Sequence, residues 1–527
     1  MKINLFPKGL LIGSTMLSIN VNAQKIAQQP NIIYIMSDDH TEQAISSYGH
    51  ALNKTPNIDR IANQGVRFTN AFVANSICGP SRAVLLTGKF SHLNGFYDND
   101  CTFNGAQQTF PKLLQSAGYQ TAIIGKWHLV SDPTGFNYWN ILPGQGDYYN
   151  PDFIDNGKKE RKEGYVTNLI TDYSLDWLEH KRDKNKPFCL MIHHKAPHRN
   201  WMPDIKNLNR YDSINIPVPE NFFDDYATRG PAAHEQAMEI AKVMTQSEDL
   251  KLFDPLKPGF PTAKTESWLS RLNPSQLTAW ENGYAKKNQQ FKELNLKGKD
   301  LAIWKLRRYL QDYLSTVESV DESVGKILDY LDKSGLAKNT IIIYTSDQGF
   351  YLGEHGWFDK RFMYDISLKT PLLVRYPGQI QKGWVCDKMV QNLDFAETIL
   401  DYAGVKIPAD MQGVSMKPLL EKKVSKIRDD IYYHYYEYPG WHSVKRHYGI
   451  RTDRYKLIHF YYDCDNWELY DLKNDPKEMN NIYSDKAYKQ IIEKLKKRLT
   501  ELEKQYKVPS IEEEVKGIKV IKKGVNK

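Results

Sequence analysis

The run Asn31-Ile32-Ile33-Tyr34-Ile35-Met36 stops abruptly at Ser37-Asp38-Asp39-His40, and this junction constrains the fold more than any other feature of the chain. A half-exposed strand alternates apolar and polar residues. An unbroken apolar run of strand length is buried on both faces, as in a parallel sheet covered by helices. Gln120–Ile124, Phe188–His193, Thr340–Thr345 and Pro371–Arg375 repeat the pattern. Helical stretches separate them at Pro56–Gln64, Ser81–Leu86, Thr109–Ala117 and residues 303–332. In the last, Leu306, Leu310, Tyr313, Val317, Val320, Val324, Ile327 and Leu331 recur at three- and four-residue spacing. The alternation predicts an α/β fold with a large, mostly parallel sheet flanked by helices.

At 527 residues the chain exceeds one ordinary domain. The larger α/β unit is expected over 24–420, with an irregular insertion at about 201–300 rich in Pro, Gly and Asn. A smaller α+β unit over 421–515 carries short strands at Ile431–Tyr435, Tyr448–Arg451, Tyr455–Phe460 and Trp467–Asp471, closed by a helix around Ala487–Lys504. A basic tail, 516–527, follows. At the other end, Lys2 and Lys8, the apolar Gly9–Gly13 with Met16 and Leu17, and the small-residue site Val21-Asn22-Ala23 read as a signal peptide over 1–23. The mature chain is therefore expected to be periplasmic or secreted, with no membrane span. Its loss removes two lysines and no acids, lowering the net charge from +8 to +6. That mild excess suits an anionic substrate. Without a compact basic block or a recognised binding module it does not suggest nucleic acid. The five cysteines fit no zinc module, and an odd number in an oxidising compartment leaves at least one unpaired.

Four segments place polar residues just past the C-terminal ends of strands, where open α/β sheets build their sites. Asp38-Asp39 and Asp347-Gln348 together offer three carboxylates and an amide oxygen, a set suited to calcium or magnesium, although either pair alone could be a surface turn. Cys78-Gly79-Pro80-Ser81-Arg82 opens an apolar helical run. Cys78 is then a buried core thiol, or it stands at a helix amino end that favours an anion, with Arg82 one turn on. Gly125-Lys126-Trp127-His128 and His193-His194-Lys195-Ala196-Pro197-His198 add charge and proton-transfer groups. The pattern alone gives neither His128 nor His198 a role, and His193 could be structural.

Cys-x-Pro-Ser-Arg leading into Leu-Thr-Gly-Lys resembles the signature of type I sulfatases. So do Asp38-Asp39, Thr55-Pro56-Asn57-Ile58-Asp59, Gly125-Lys126-Trp127-His128, Ser346-Asp347-Gln348-Gly349 and Leu352-Gly353-Glu354-His355-Gly356 with Asp359-Lys360, in the family's order. The resemblance implies an alkaline-phosphatase-like fold with a smaller C-terminal antiparallel sheet and helix. It implies that a maturation enzyme oxidises Cys78 to formylglycine, whose hydrated gem-diol attacks sulfur. Asp38, Asp39, Asp347 and Gln348 would hold calcium, Gln348 standing where many members have Asn. Arg82, Lys126 and Lys360 would hold the sulfuryl oxygens, His198 would protonate the leaving alcohol and His128 would take the remaining diol proton so that sulfate is eliminated.

Ser346–Pro377, with Gly349-Phe350-Tyr351 and Trp357-Phe358, and Arg446–Phe460 with Trp467–Asp471 are similar to bacterial N-acetylglucosamine-6-sulfatases of the glycan-degrading type. The expected substrate is thus a sulfated carbohydrate of glycosaminoglycan or mucin type, with 6-O-sulfate removed at a non-reducing end. Asp359, Arg361, Trp441 and His442 are candidates for sugar recognition, or equally for packing. The competing functions are another carbohydrate or aryl sulfatase, a phosphonate or phosphate ester hydrolase of the same superfamily, and an inactive glycan-binding protein.

Overall fold

The computed structural model describes residues 29–50, 52–252 and 269–514, with positions 1 and 516. The signal-peptide segment, apart from Met1, and nearly all of the basic tail lie outside the described residues. Ten strands form the main sheet: β1 (Asn31–Ser37), β2 (Val66–Phe68), β3 (Gln120–Lys126), β4 (Tyr138–Leu142), β5 (Asp152–Asp155), β6 (Lys158–Arg161), β7 (Phe188–His193), β8 (Thr340–Ser346), β9 (Leu372–Arg375) and β10 (Trp384–Cys386). Their spatial order is β10-β2-β9-β8-β1-β7-β3-β4-β5-β6. The centre, β8-β1-β7-β3-β4, is parallel throughout. One apolar cluster fills each face: Tyr34, Ile123 and Ile343 lie in one, Ile33, Ile124 and Ile342 in the other. Alternate residues of single strands thus enter opposite layers, which is why these segments are apolar at every position.

The strand at Pro371–Arg375 departs from expectation. β9 runs antiparallel to both β8 and β2. An apolar run reports burial on two faces and carries no information about direction. Around the sheet lie α1 (Pro56–Asn63), α2 (Cys78–Thr87), α3 (Phe110–Ser116), α4 (Val166–Asp176), α5 (Pro274–Leu294) and α6 (Gly298–Ser334). α6 starts five residues before the predicted 303, and α5 lies wholly inside the stretch read as irregular. The side chain of Asn273 caps α5 with Gln276 in a capping box.

A second, four-stranded antiparallel sheet is made of β11 (Asp430–Tyr435), β12 (His447–Thr452), β13 (Tyr455–Phe460) and β14 (Asn466–Asp471), with α7 (Lys489–Tyr506) packed on it through Leu495, Leu499 and Leu502. Its other face, through Tyr433, Tyr435 and Phe460, packs on Phe362, Met363 and Tyr364 from the loop after β8. The second sheet is thereby set beside the C-terminal edge of the first. Among the described residues no helix is long and apolar enough to cross a membrane.

Candidate active site

The register of the parallel strands brings the four polar segments to one place. Met36 pairs with His193 and Thr345, and Gly125 with His193, so Asp38-Asp39, Asp347-Gln348, Lys126 and the His194–His198 loop leave the sheet side by side. Gly125 is a requirement of that crowding. It has φ +107°, and a Cβ there would stand 2.0 Å from the carbonyl oxygen of His193.

Cys78 is the first residue of α2, a helix buried along its whole length. Its Sγ lies 3.2 Å from Asp38 Oδ1 and 3.8 Å from Gln348 Nε2. Burial, then the Asp38 charge, pushes the thiol well above its ordinary range. The other four cysteines are also free, so no disulfide competes for it. One turn along α2, Arg82 serves as a hub. It donates to Asp347 Oδ2 from Nε (3.2 Å) and Nη2 (2.9 Å), to Asp38 Oδ2 from Nη2 (3.2 Å), and to the backbone carbonyl of Lys126 from Nη1 (2.7 Å). Ser81 Oγ donates to the Asp347 carbonyl at 2.5 Å, fixing α2 to the end of β8.

Asp38, Asp39 and Asp347 are all buried. One oxygen from each, with Cys78 Sγ, fall within 4.8 Å of one another. Burial works against ionisation of Asp38, but Lys126, His198, Arg82 and Lys360 outweigh it and hold the carboxyl well below the usual range. At Asp39 burial prevails, joined by repulsion from Asp38 and Asp347, and the carboxyl rises to about 7 although Lys360 donates to it at 2.6 and 2.8 Å. Gln348 donates to Asp39 through Nε2, while its Oε1 is buried without a hydrogen-bond partner. Three mutually repelling buried carboxylates and an unpartnered amide oxygen form an all-oxygen donor set that a hard divalent cation fits. Tyr313 of α6 steadies this loop, donating to the Asp39 carbonyl at 2.7 Å and accepting from Thr41 N–H at 3.2 Å.

Lys126 is fully buried and pairs with Asp38 Oδ2. Lys360 bonds Asp39 and lies 3.9 Å from Asp359. His198 Nε2 stands 3.8 Å from Asp39 Oδ2, and Tyr148 OH donates to the His198 carbonyl at 2.6 Å. Burial and Lys126 together hold both His128 and His198 well below the ordinary imidazole range. His193, left open in the sequence, is a buried strand residue of β7 whose Nδ1 lies 3.4 Å from Arg82 Nη1.

Asp359, Arg361 and His442 also come together. Arg361 Nε donates to Asp359 Oδ1 at 2.9 Å, and His442 Nε2 lies 3.4 Å from Asp359 Oδ2. His442 is gripped by the insertion: its Nδ1 donates to the Ala237 carbonyl at 2.6 Å, and Ala237 N–H donates back to the His442 carbonyl at 2.7 Å. Asp39, His128, Asp359, Arg361 and His442 all have φ between +55° and +96°. Such backbone strain concentrates at functional sites. Trp441 differs, being 75% exposed.

Three neighbours were not singled out in the sequence. Glu437 receives Arg361 Nη1 at 2.6 Å. Buried Lys195, lowered to about 8 by burial and by Lys126, sits over the ring of Tyr148. Gln145 bridges Lys126 and His128. Lys195 lies within a motif already noted, whereas Glu437 and Gln145 sit in loops whose local sequence reads only as turn.

The chain is similar to known proteins along most of its length. Residues 30–405 match the family described as Sulfatase, and residues 353–505 match the C-terminal family of N-sulphoglucosamine sulphohydrolase. An N-acetylglucosamine-6-O-sulfatase of Bacteroides thetaiotaomicron is 53% identical over 513 residues, 95% of this chain and 91% of that protein. The solved structure of BT4656 in complex with its substrate D-glucosamine-2-N,6-O-disulfate superposes with a TM-score of 0.89 at 53% identity, covering 92% of this chain and 99% of that one. A phosphonate monoester hydrolase of Agrobacterium radiobacter shares the fold alone, with a TM-score of 0.62 at 20% identity, covering 90% of this chain and 96% of that one.

Proposed function

We propose that this chain, which belongs to the formylglycine-dependent sulfatase family, hydrolyses sulfate esters on amino-sugar glycans and removes the 6-O-sulfate of N-acetylglucosamine-type residues from a non-reducing end. The observation that carries the reading is the placement of Cys78 at the amino end of buried α2, among three carboxylates, Arg82, Lys126 and Lys360.

Formylglycine, formed from Cys78 by a maturation enzyme, would supply the hydroxyl that displaces the sugar oxygen, and a bound calcium would supply positive charge to the sulfuryl group. Asp38, Asp39, Asp347 and Gln348 would hold that calcium; magnesium would occupy the same oxygens with a stricter geometry. The chain's own residues do the rest. Arg82, Lys126 and Lys360 are fixed by carboxylates, so their charge is already in place where negative charge develops, and no reorganisation is needed during the reaction. His198 delivers a proton to the departing sugar oxygen, a poor leaving group without one. An incoming sulfate offsets the neighbouring Lys126 and so favours the proton-bearing form of His198. His128 takes up a proton as sulfate departs. The site works outside the cytoplasm, in the periplasm or as a secreted enzyme, in keeping with the amino-terminal pattern at 1–23.

Asp359 with His442 forms the cradle for ring hydroxyls, and Arg361, held by Glu437, closes one side of it. A site built to bond hydroxyls rejects substrates that lack them. The test is kcat/KM on N-acetylglucosamine-6-sulfate, galactose-6-sulfate and an aryl sulfate for wild type, Asp359→Ala and His442→Ala. Both variants should lose on the order of a hundredfold on the glucosamine sugar and far less on the aryl ester. Desulfation of the galactose compound with none of the glucosamine compound would defeat the substrate assignment.

A further inference from the structure

The turn after β4 reaches into the site, and nothing in the mechanism above uses it. Strand register places Leu142, the last residue of β4, opposite Lys126. The chain then turns through Pro143-Gly144-Gln145-Gly146, with Gly146 N–H bonded to the Pro143 carbonyl at 3.0 Å and both glycines in the left-handed region, φ +53° and +69°. The turn presents Gln145, itself exposed, to two buried or half-buried groups. Lys126 Nζ donates to Gln145 Oε1, and Gln145 Nε2 lies 2.9 Å from His128 Nε2.

The chemistry of these contacts fixes their direction. An ammonium can only donate, so the oxygen of the Gln145 amide must face Lys126 and its NH2 must face the imidazole. His128 Nε2 then accepts, and the ring proton resides on Nδ1, which is buried and bonded to no other protein group. Lys126 is constrained in the same stroke. Of its three donors one goes to Asp38 and one to Gln145, leaving the third for a sulfuryl oxygen. We infer that Gln145 is a positioning residue, which selects the Nδ1–H tautomer of His128, so that Nε2 keeps the lone pair that takes up the proton once the amide gives way, and aims the remaining N–H of Lys126. The inference rests on the sulfatase reading of this site.

The amide admits a discriminating substitution. Gln145→Glu is nearly isosteric and keeps an acceptor for Lys126, but a carboxylate cannot donate to His128 and draws the ring proton to Nε2. Gln145→Ala removes both contacts and leaves the tautomer unbiased. Matured, calcium-loaded protein labelled with 15N-histidine reports the tautomer directly, with the His128 signals assigned by their loss in His128→Ala. The expected result is an Nδ1–H imidazole in wild type and an Nε2-protonated one in Gln145→Glu. That variant should lose kcat by on the order of tenfold or more with KM little changed. Gln145→Ala should lower kcat less and raise KM. Because the residue is exposed at a turn tip, both variants should melt within a degree or two of wild type. His128 signals that do not move between wild type and Gln145→Glu would overturn the proposal, as would kcat within twofold of wild type in both variants. A fall in kcat without a tautomer change would also overturn it, making Gln145 a substrate contact. Should wild type fail to desulfate any sugar, the functional reading falls, while the nitrogen spectrum still decides the role of Gln145.

Discussion

Single side chains in this site divide into those that do chemistry and those that keep it assembled. Cys78 does the first. Cys78→Ala should abolish turnover and leave stability nearly unchanged, since only one sulfur leaves and its neighbours stay paired. Peptide mass spectrometry of active protein should find an aldehyde or its hydrate at position 78, and full activity with an intact thiol would refute the assignment. Arg82 does both. Replacing it by Leu strands Asp38 and Asp347 as buried charges without their shared partner, and the loss should be about 3–5 kcal/mol in chemical denaturation, in addition to the loss of activity. Much at this scale was readable in advance. Asp38-Asp39 and Asp347 fall just past strand ends, Lys126 is the last residue of its strand, and Cys78 and Arg82 lie at the start of a helix, and local sequence reports such positions. Glu437 and Gln145 were not readable, because what matters about them is which strand lies alongside, and neither the Tyr436–Gly440 loop nor the Pro143–Gly146 turn records that.

Among elements, the contact between β3 and β7 is the most exacting. Gly125→Ala must push its Cβ away from the His193 carbonyl, parting the two strands that carry Lys126 and the His194–His198 loop. It should cost about 1–3 kcal/mol and reduce kcat together with stability, read by thermal melting and turnover. A second junction links the insertion to the loop at Glu354–Gly356. Asp224 there accepts from Arg229 at 2.5 Å and lies 2.7 Å from His355 Nδ1. Burial opposes the charge on Asp224, but His355 and Arg229 prevail and lower it to about 2. Because the folded value is depressed, the junction stabilises the fold at pH above the ordinary carboxylate range and its contribution disappears as pH falls through about 2. Urea unfolding followed from pH 5 to 2.5 should therefore fall less steeply for Asp224→Asn than for wild type. The strands themselves were legible because burial on both faces demands unbroken apolar runs. The antiparallel direction of β9 and the existence of α5 were not. Direction leaves no compositional trace, and α5 buries only Trp280, Tyr284 and Asn288 along 21 residues, too sparse a stripe to read as a helix.

For the molecule as a whole, the cluster of three buried carboxylates predicts that the cation contributes to folding as well as catalysis. Ligand linkage adds about 2.7 kcal/mol at a hundredfold excess over Kd, so exhaustive chelation should lower Tm and calcium restore it, with zinc a poor substitute in an all-oxygen site. Asp347→Asn should shift the calcium dependence of Tm to higher concentration. Stoichiometric zinc and no alkaline-earth ion in active protein would reject the assignment.

The burial of α2 also has a consequence in time. Cys78 is 1% exposed, yet residues that stand beside it come far later in the chain: Asp347 lies 269 positions on (347 minus 78) and Gln348, whose Nε2 is 3.8 Å from the sulfur, 270 positions on. At about 5–20 residues per second of synthesis, Cys78 waits for some tens of seconds before its enclosure can form. If the maturation enzyme proposed above takes an extended substrate, that interval is when Cys78 is within its reach. Protein folded with an unconverted thiol should therefore stay unconverted when the maturation enzyme is added afterwards, and regain the possibility only through unfolding. On that reading, the layer that protects the nucleophile from solvent also makes its creation an event of the chain's birth.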